Sequence, residues 1–349
     1  MSDKDILKGH ILSTVTWKDA TIILSTAAED FSSVVYYHEA GRWVRQDTSG
    51  DGPKMINEIT ATIIDDIMYV LGGNVLDRNS KVVYALDLNT LIWTKLTPGG
   101  SRFTLDNNRG CTSWAYKGDV YLLGIVVGWP ESWGLFCYNI SNNRWETKVT
   151  EGDNPSSRFK SSTVVKNDAV FLFGGRSLPE WHLLNDLYML DLTTMKWKVV
   201  HGSSYETPAI PSARYGHTIT PISQSTAVLL GGSVGRWPSL GEYAEDCWLL
   251  DLGKAKQEKE VTSIWTQIKL GNFYGRAFHK AVLEPVSQRL WLMGGVYTPN
   301  LLKLSLNVVP LQILAKECAA NNISEDDPRL GADRFPKKLK EDIEAYRFE

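Results

Sequence analysis

The fold class this sequence predicts is all-β, an array of repeated four-stranded units, and three observations predict it. First, four short apolar runs end in paired glycines: Met68–Asn74 (MYVLGGN), Val170–Arg176 (VFLFGGR), Ala227–Ser233 (AVLLGGS) and Leu290–Val296 (LWLMGGV). A glycine pair at a strand end permits positive φ and close backbone approach, so the chain can leave a crowded position. Second, an apolar strand, a polar turn and a tryptophan follow most of these runs. They are VVYALDLNTLIW (Val82–Trp93), LFCYNISNNRW (Leu135–Trp145), LYMLDLTTMKW (Leu187–Trp197) and, stretched, Cys247–Trp265. Third, Trp43, Trp93, Trp145 and Trp197 stand 50, 52 and 52 residues apart. A period of about fifty with this content marks a repeat array.

Taken in order, residues 11–47 form a first, degenerate unit. ILSTVTW, ATIILST and SVVYYHEAGRWVRQ read as three or four strands, with Ala40-Gly41-Arg42 as the hairpin before Trp43 and Ser25-Thr26 near the place of the missing glycines. Residues 55–97 match the pattern well. Residues 109–149 form the third unit, its glycine pair eroded to Gly124-Ile125 and its next loop carrying WPESW, Trp129–Trp133. Residues 158–201 are the most regular unit. Residues 214–270 are the fifth, with insertions at Gly235–Glu245 and Gly253–Val261; the second is highly charged and reads as a solvated hairpin. Residues 276–307 lack an outer tryptophan strand. Residues 4–12 are placed to supply it, because an unpaired edge is a liability.

Composition bounds the function. The net charge of −3 gives no argument for nucleic acid or an anionic membrane. No apolar run is long enough to span a bilayer, and MSDKDILKGH lacks a secretory apolar core, so no membrane span or export is expected. Cys111, Cys137, Cys247 and Cys318 are far apart and form no C-x-x-C pair, so they read as free thiols in a reducing compartment, cytoplasm or nucleus.

The glycine pairs and downstream tryptophans resemble kelch repeats over roughly residues 10–309. The resemblance implies a six-bladed kelch β-propeller, and the spacing supports six blades. The domains expected are the propeller over 1–309, closed with the N-terminal segment, and a short α-helical C-terminal tail over 310–349.

In a propeller, equivalent turns form a ring. An arginine precedes the innermost strand in the third to sixth units: Arg109 (NNRGCTSW), Arg158 (SSRFKSST), Arg214 (SARYGHTI) and Arg276 (YGRAFHKA), with Thr112, Ser161, His217 and His279 three residues on. Four guanidinium groups at one mouth would focus positive potential and present planar donor forks that match a carboxylate. The alternative is that they brace neighbouring blades. His217 and His279 read as hydrogen-bonded residues between blades. Trp129, Trp133, Arg236 and Trp237 lie in the long loops on one side of the wheel, of the residue types enriched in binding hot spots. They either wall a ligand site or pack their own loops.

No catalytic set stands out: there is no H-E-x-x-H, no G-x-S-x-G, no phosphate loop and no cysteine metal cluster. Neither a catalytic residue nor a cofactor or metal is expected. Kelch-type specifier proteins use an E-x-x-x-D-x-x-x-H iron site; Glu242 and Asp246 have that spacing, but Leu250 stands third, and a missing imidazole argues against it.

After Asn307 the repeat ends. Pro310 opens a helical pattern in which Leu311, Ala315 and Ala319 share a face with Leu314 and Cys318 beside them. A second helix begins at Pro336. These pieces resemble an elongin-binding BC-box followed by a cullin box. Pro310-Leu311, Ala315 and Ala319 fit the first, with Ala315 where cysteine is usual; Phe335-Pro336, Leu339 and Ile343 match the second. A strap packed on the propeller would use the same amphipathic pattern.

Together, the resemblance implies a non-catalytic substrate receptor of a cullin–RING ubiquitin ligase. Its partners would be elongin B/C, a cullin and a protein substrate held by a peptide or by its C-terminus, as some of that group hold theirs, with no nucleic acid or membrane. A plain interaction scaffold, or a small-molecule binder or enzyme at the channel mouth, are the other classes.

Overall fold

A computed structural model gives the architecture and describes residues 11–27, 32–39, 42–54, 59–72, 81–101, 103–105, 110–126, 132–178, 180–203, 210–235, 241–257, 264–268, 273–287, 289–296 and 301–305. Six separate sheets follow one another along the chain. In blade one, Ile11–Trp17, Ala20–Thr26, Ser33–Glu39 and Arg42–Gln46 pair as a simple antiparallel meander. Blades two to five repeat it, and blade six contributes Lys280–Leu283, Arg289–Met293 and Leu302–Ser305. The expected six-bladed propeller is therefore present.

The strands' composition follows from their place in the wheel. The second strand of a blade is covered on both faces, by the blade before and the blade after. Ala20–Thr26, Ala169–Ser177 and Thr226–Leu230 are buried at every residue, so they read as near-continuous apolar runs rather than alternating ones. The outer strands are wet on one face. Lys196–His201, KWKVVH, opens exposed-buried-exposed with Trp197 as the buried member. Trp43, Trp93, Trp145, Trp197 and Trp265 are all buried.

The core is not one mass but six seams, one between each pair of neighbours. Phe171, Phe173 and Val164 of blade four meet Ile219, Leu229 and Trp248 of blade five. The ring closes at the seam where Ile23, Val34, Tyr36 and Trp43 of blade one meet Val282, Trp291 and Met293 of blade six. Within it, His38 Nδ1 lies 2.6 Å from Glu284 Oε1, and the imidazole sits against the Trp43 and Trp291 rings, centroids 4.7 and 5.0 Å away. Of the segment expected to complete blade six, Ile11 and Leu12 belong to blade one instead: Ile11 pairs with Ser25, and Leu12 packs in the seam with blade two. Residues 4–10 lie outside the described residues, as does the tail from 306 on.

Two features were not legible beforehand. The linkers into blades two, three and four run along the blade they are about to enter: Ser49–Gly50, Gly99–Gly100 and Glu151–Gly152 pair in parallel with Ile92–Trp93, Arg144–Trp145 and Lys196–Trp197. At Gly50, Gly100 and Gly152, φ is +86, +89 and +80°, and an added Cβ would lie 2.2–2.3 Å from the tryptophan carbonyl oxygen, so only glycine fits. The charged insertion of blade five is also not a hairpin at its start. Leu252–Lys256 is a single helical turn, Asp251 accepts from the Lys254 N–H as its N-cap, and Leu252 and Ala255 are buried in the seam between blades four and five.

Candidate functional site at the channel mouth

The innermost strands enclose a central cavity of about 720 Å³. Its wall is rich in hydroxyls that lace one blade to the next. Thr60 and Thr62 meet Ser113 at 2.8 and 2.6 Å, Thr112 meets Thr163 at 2.7 Å, and the Ile219 N–H donates to Ser162 Oγ at 3.0 Å. His279 Nε2 lies 2.9 Å from Thr218 Oγ1 across the seam of blades five and six, the inter-blade role expected of it. His217 packs edge-on against Phe173 of blade four. Burial pushes both imidazoles down to about 3, with the charges of Arg214 and Arg276 adding to it, so both are neutral.

Arg158 and Arg214 do not offer their guanidinium groups to the mouth, although Arg158 is among the residues that line the cavity. Arg158 is 1% exposed and its guanidinium forks onto the Asp186 carboxylate, Nη1 to Oδ1 at 2.5 Å and Nη2 to Oδ2 at 3.0 Å. Its remaining donors go to Ser156 O, Ser156 Oγ and Gly174 O. Arg214 repeats this one blade on, with Asp246 at 2.6 and 2.8 Å and donations to Ser212 O, Ser212 Oγ and Gly231 O. Burial raises the Asp246 carboxyl, but the Arg214 fork and the Trp248 N–H more than offset it, and its pKa lies below the ordinary carboxylate value. The four residues are one device: the Ser and Arg of Ser-x-Arg, the first glycine of the pair, and an Asp that lies within the third strand of blade four and directly before that of blade five. Each fork is spent inside its own blade, so Arg158 and Arg214 are braces rather than ligand groups, and Asp246 is committed to Arg214 rather than to a metal. In blade six the device is altered: Tyr274 precedes Gly275-Arg276, and Asn300, outside the described residues, holds the sequence place of the Asp. Arg276 is buried as well, and burial lowers its pKa.

Arg109 lies outside the described residues, but the pairing register corrects its alignment. Thr112 faces Leu123 just as Ser162 faces Phe173, each partner preceding the glycine of its strand. Thr112 is thus equivalent to Ser162 rather than Ser161, and by sequence count Arg109 matches Phe159 rather than Arg158. Trp133 is a strand residue paired with Ile125, half-buried, forming part of the cavity wall. Trp129, Arg236 and Trp237, and all tail positions from Leu311, Ala315, Cys318 and Ala319 to Phe335, Pro336, Leu339 and Ile343, lie outside the described residues.

A further cation, Arg176, stands beside the cavity rather than among the residues that line it, directly after the glycine pair of blade four. It pairs across the sheet with Phe159, which lines the cavity. Its Nε donates to Trp181 O at 2.8 Å, and its Cζ lies 5.2 Å from the Trp181 ring and 5.6 Å from the Tyr215 ring. The guanidinium is held between two aromatic faces, a cation–π arrangement that partly replaces its lost water. Among the described residues no carboxylate pairs with it. Aromatic rings continue from there: Trp181 to Phe159, 5.4 Å, Phe159 to Tyr215, 6.1 Å, and Tyr215 to Phe278, 5.5 Å. The signal was in the sequence. The other glycine pairs are followed by Asn74, Ser233 and Val296, and only this one by a cation.

Backbone strain gathers at the same place. Ten described non-glycine residues have positive φ; eight occupy turns between paired strands, Trp181 at 62° among them, and the other two are Lys160 and Phe278, at 56 and 61°. Left-handed backbone in a bulky residue costs energy and persists where surrounding structure imposes it, often at functional sites. No metal-binding group of three His, Cys, Asp or Glu exists among the described residues, and no helix there is long and apolar enough to cross a membrane.

Comparison with known proteins agrees with this architecture. The family model described as KLHDC2/KLHL20/DRC7 Kelch-repeats domain matches residues 25–175 and 129–303. Kelch domain-containing protein 2 of Bos taurus is 26% identical over 225 residues, 57% of this chain and 53% of that protein. Acyl-CoA-binding domain-containing protein 4 of Arabidopsis thaliana is 27% identical over 234 residues, 64% and 33% of the two chains. Kelch domain-containing protein 10 of Homo sapiens is 32% identical over 165 residues, 45% and 36% of the two chains. The match spans about half or less of these curated relatives. The solved structure of YjhT superposes with a TM-score of 0.58 at 16% identity, covering 85% of this chain and 92% of that one, a likeness of fold.

Proposed function

The chain belongs to the kelch-repeat family, in the group of the KLHDC2/KLHL20/DRC7 model, and from that premise we propose that it is a non-catalytic substrate receptor of a cullin–RING ubiquitin ligase. Its propeller takes the C-terminus of a protein at the channel mouth, and its tail over 310–343 docks elongin B/C and a cullin. One observation carries the recognition half: Arg176 is oriented by Trp181 O and by two rings, yet has no carboxylate of its own among the described residues. Removing a charge from water is costly unless it is paired, so this guanidinium is prepared for an anion from outside. A terminal carboxylate matches its fork. The BC-box and cullin-box patterns at Leu311–Ala319 and Phe335–Ile343 support the ligase half.

Binding of fluorescent peptides with free and amidated C-termini tests the first half. The free form is expected to bind at least tenfold tighter to the wild type and to lose that advantage on Arg176→Gln. Equal affinity for both forms would overturn it. Recovery of elongin B/C on the full chain tests the second half: Leu311→Asp is expected to reduce it to background, and unchanged recovery would leave an interaction scaffold without a ligase role.

A further inference from the structure

We infer that the mouth holds a second subsite, built on Phe278, that selects an apolar side chain a few residues upstream of the ligand's terminal carboxylate. The inference rests on the carboxylate reading of Arg176 and adds to it a sequence preference.

Phe278 is 37% exposed although it is a large apolar residue at the centre of the fold. Its place is enforced from below. The Phe278 N–H donates to Gly216 O at 2.7 Å, and the Gly216 N–H donates to Lys160 O at 2.8 Å, so the equivalent turns of blades four, five and six are tied by backbone. Gly216, at φ +68°, has no side chain to fill the space above it. A Cβ there would come within 2.7 Å of the Phe278 ring. The ring therefore lies across the glycine, and Lys160 Nζ reaches over to stand 5.5 Å from the ring centroid. Phe278 lines the cavity on left-handed backbone, with a cation over its ring, and apolar surface left open there is costly to keep unless something lands on it.

Spacing and charge name the occupant. Arg176 Cζ is 5.6 Å from the Tyr215 ring, and that ring is 5.5 Å from Phe278. These two steps set the greatest separation of Arg176 from Phe278, so at about 3.3 Å per residue of extended chain a peptide whose carboxylate sits on Arg176 brings a residue no further than roughly the fourth from its end over Phe278. The band between them is aromatic and carries cations at both ends, so the fitting ligand is an extended chain terminus, anionic at its end, with a leucine- or phenylalanine-like side chain about two to four residues before it.

A peptide walk decides it. Six-residue Gly/Ser peptides with a free C-terminus carry a single Leu or Phe at each of the last five positions, and their affinities for the full chain are read by fluorescence anisotropy. One upstream position, two to four from the end, is expected to gain at least fivefold over Ser. Phe278→Ala removes the gain, Phe278→Leu keeps part of it, and thermal melts check that both variants are folded. A flat walk with carboxylate dependence intact overturns this inference and leaves the terminus reading standing. No binding by any peptide, or binding indifferent to amidation, overturns both.

Discussion

Removing the Asp186 carboxylate should destabilise the propeller far more than removing the whole ion pair. In Asp186→Ala, the Arg158 guanidinium remains with its side chain 0% exposed and loses both of its carboxylate contacts. Its three bonds to Ser156 and Gly174 carry no compensating charge. Breaking a buried pair by deleting one partner costs about 3–5 kcal/mol, whereas replacing both partners by packed apolar residues is often near neutral. The described blades span close to 300 residues, for which the unfolding entropy is about 0.6 kcal/mol per kelvin. The single variant should therefore melt about 5–8 °C lower, and Arg158→Met with Asp186→Leu should recover most of the loss. Differential scanning calorimetry, with urea unfolding for the free energies, reads both. A single variant that melts within a degree of wild type, or a double variant no better than the single, would refute the brace. If Asp186→Ala instead left stability alone and weakened peptide binding, Arg158 would be a ligand group after all.

Two further outcomes follow from the geometry. His217 and His279 have folded-state pKa values near 3 against an ordinary 6.5, so the unfolded chain binds more protons below that value. Their contribution is fully present above pH 6.5 and is lost as pH falls, by about 2 kcal/mol each at pH 5; urea unfolding at pH 7.5 and 5.0 should show it, and an unchanged difference in the His217→Gln, His279→Gln double variant would contradict it. Gly100→Ala should cost well over the roughly 1–2 kcal/mol of a left-handed alanine, because its Cβ meets Trp145 O. Gly118→Ala, at φ +81° with no atom within 4 Å of its Cβ, is the matched control, and equal melting losses in the two would remove the strap argument.

The wheel itself was legible because its signals are local. The glycine pairs, the buried tryptophans and the period are properties of single blades, and even the degenerate first blade took its place with Ser25-Thr26 for glycines. What failed was whatever depends on one stretch meeting another. Arg158, Arg214 and Arg276 stand at a true repeat position, but the acids that engage Arg158 and Arg214 lie 28 and 32 residues on. Asp246 stands out in the sequence only by its spacing from Glu242, without its partner Arg214. Arg176 closes VFLFGGR with nothing local to mark its role, because its value lies in Trp181 and Tyr215, which only the turns of two blades bring to it. The helical turn at Leu252–Lys256 was masked by its charge; Leu252 and Ala255 reveal it only once the seam beneath them is known.

The linkers that lie along the blade ahead of them change what counts as a movable piece of this chain. A sheet excised between its own first and last strands would leave behind the dipeptide that covers its rim, and a sheet inserted elsewhere would arrive with that rim bare and ready to stack with a stranger. The transplantable cassette is the longer one, 49–96, 99–148 or 151–201. Its sensible splice points are Thr48, Pro98 and Thr150, just upstream of each covering dipeptide.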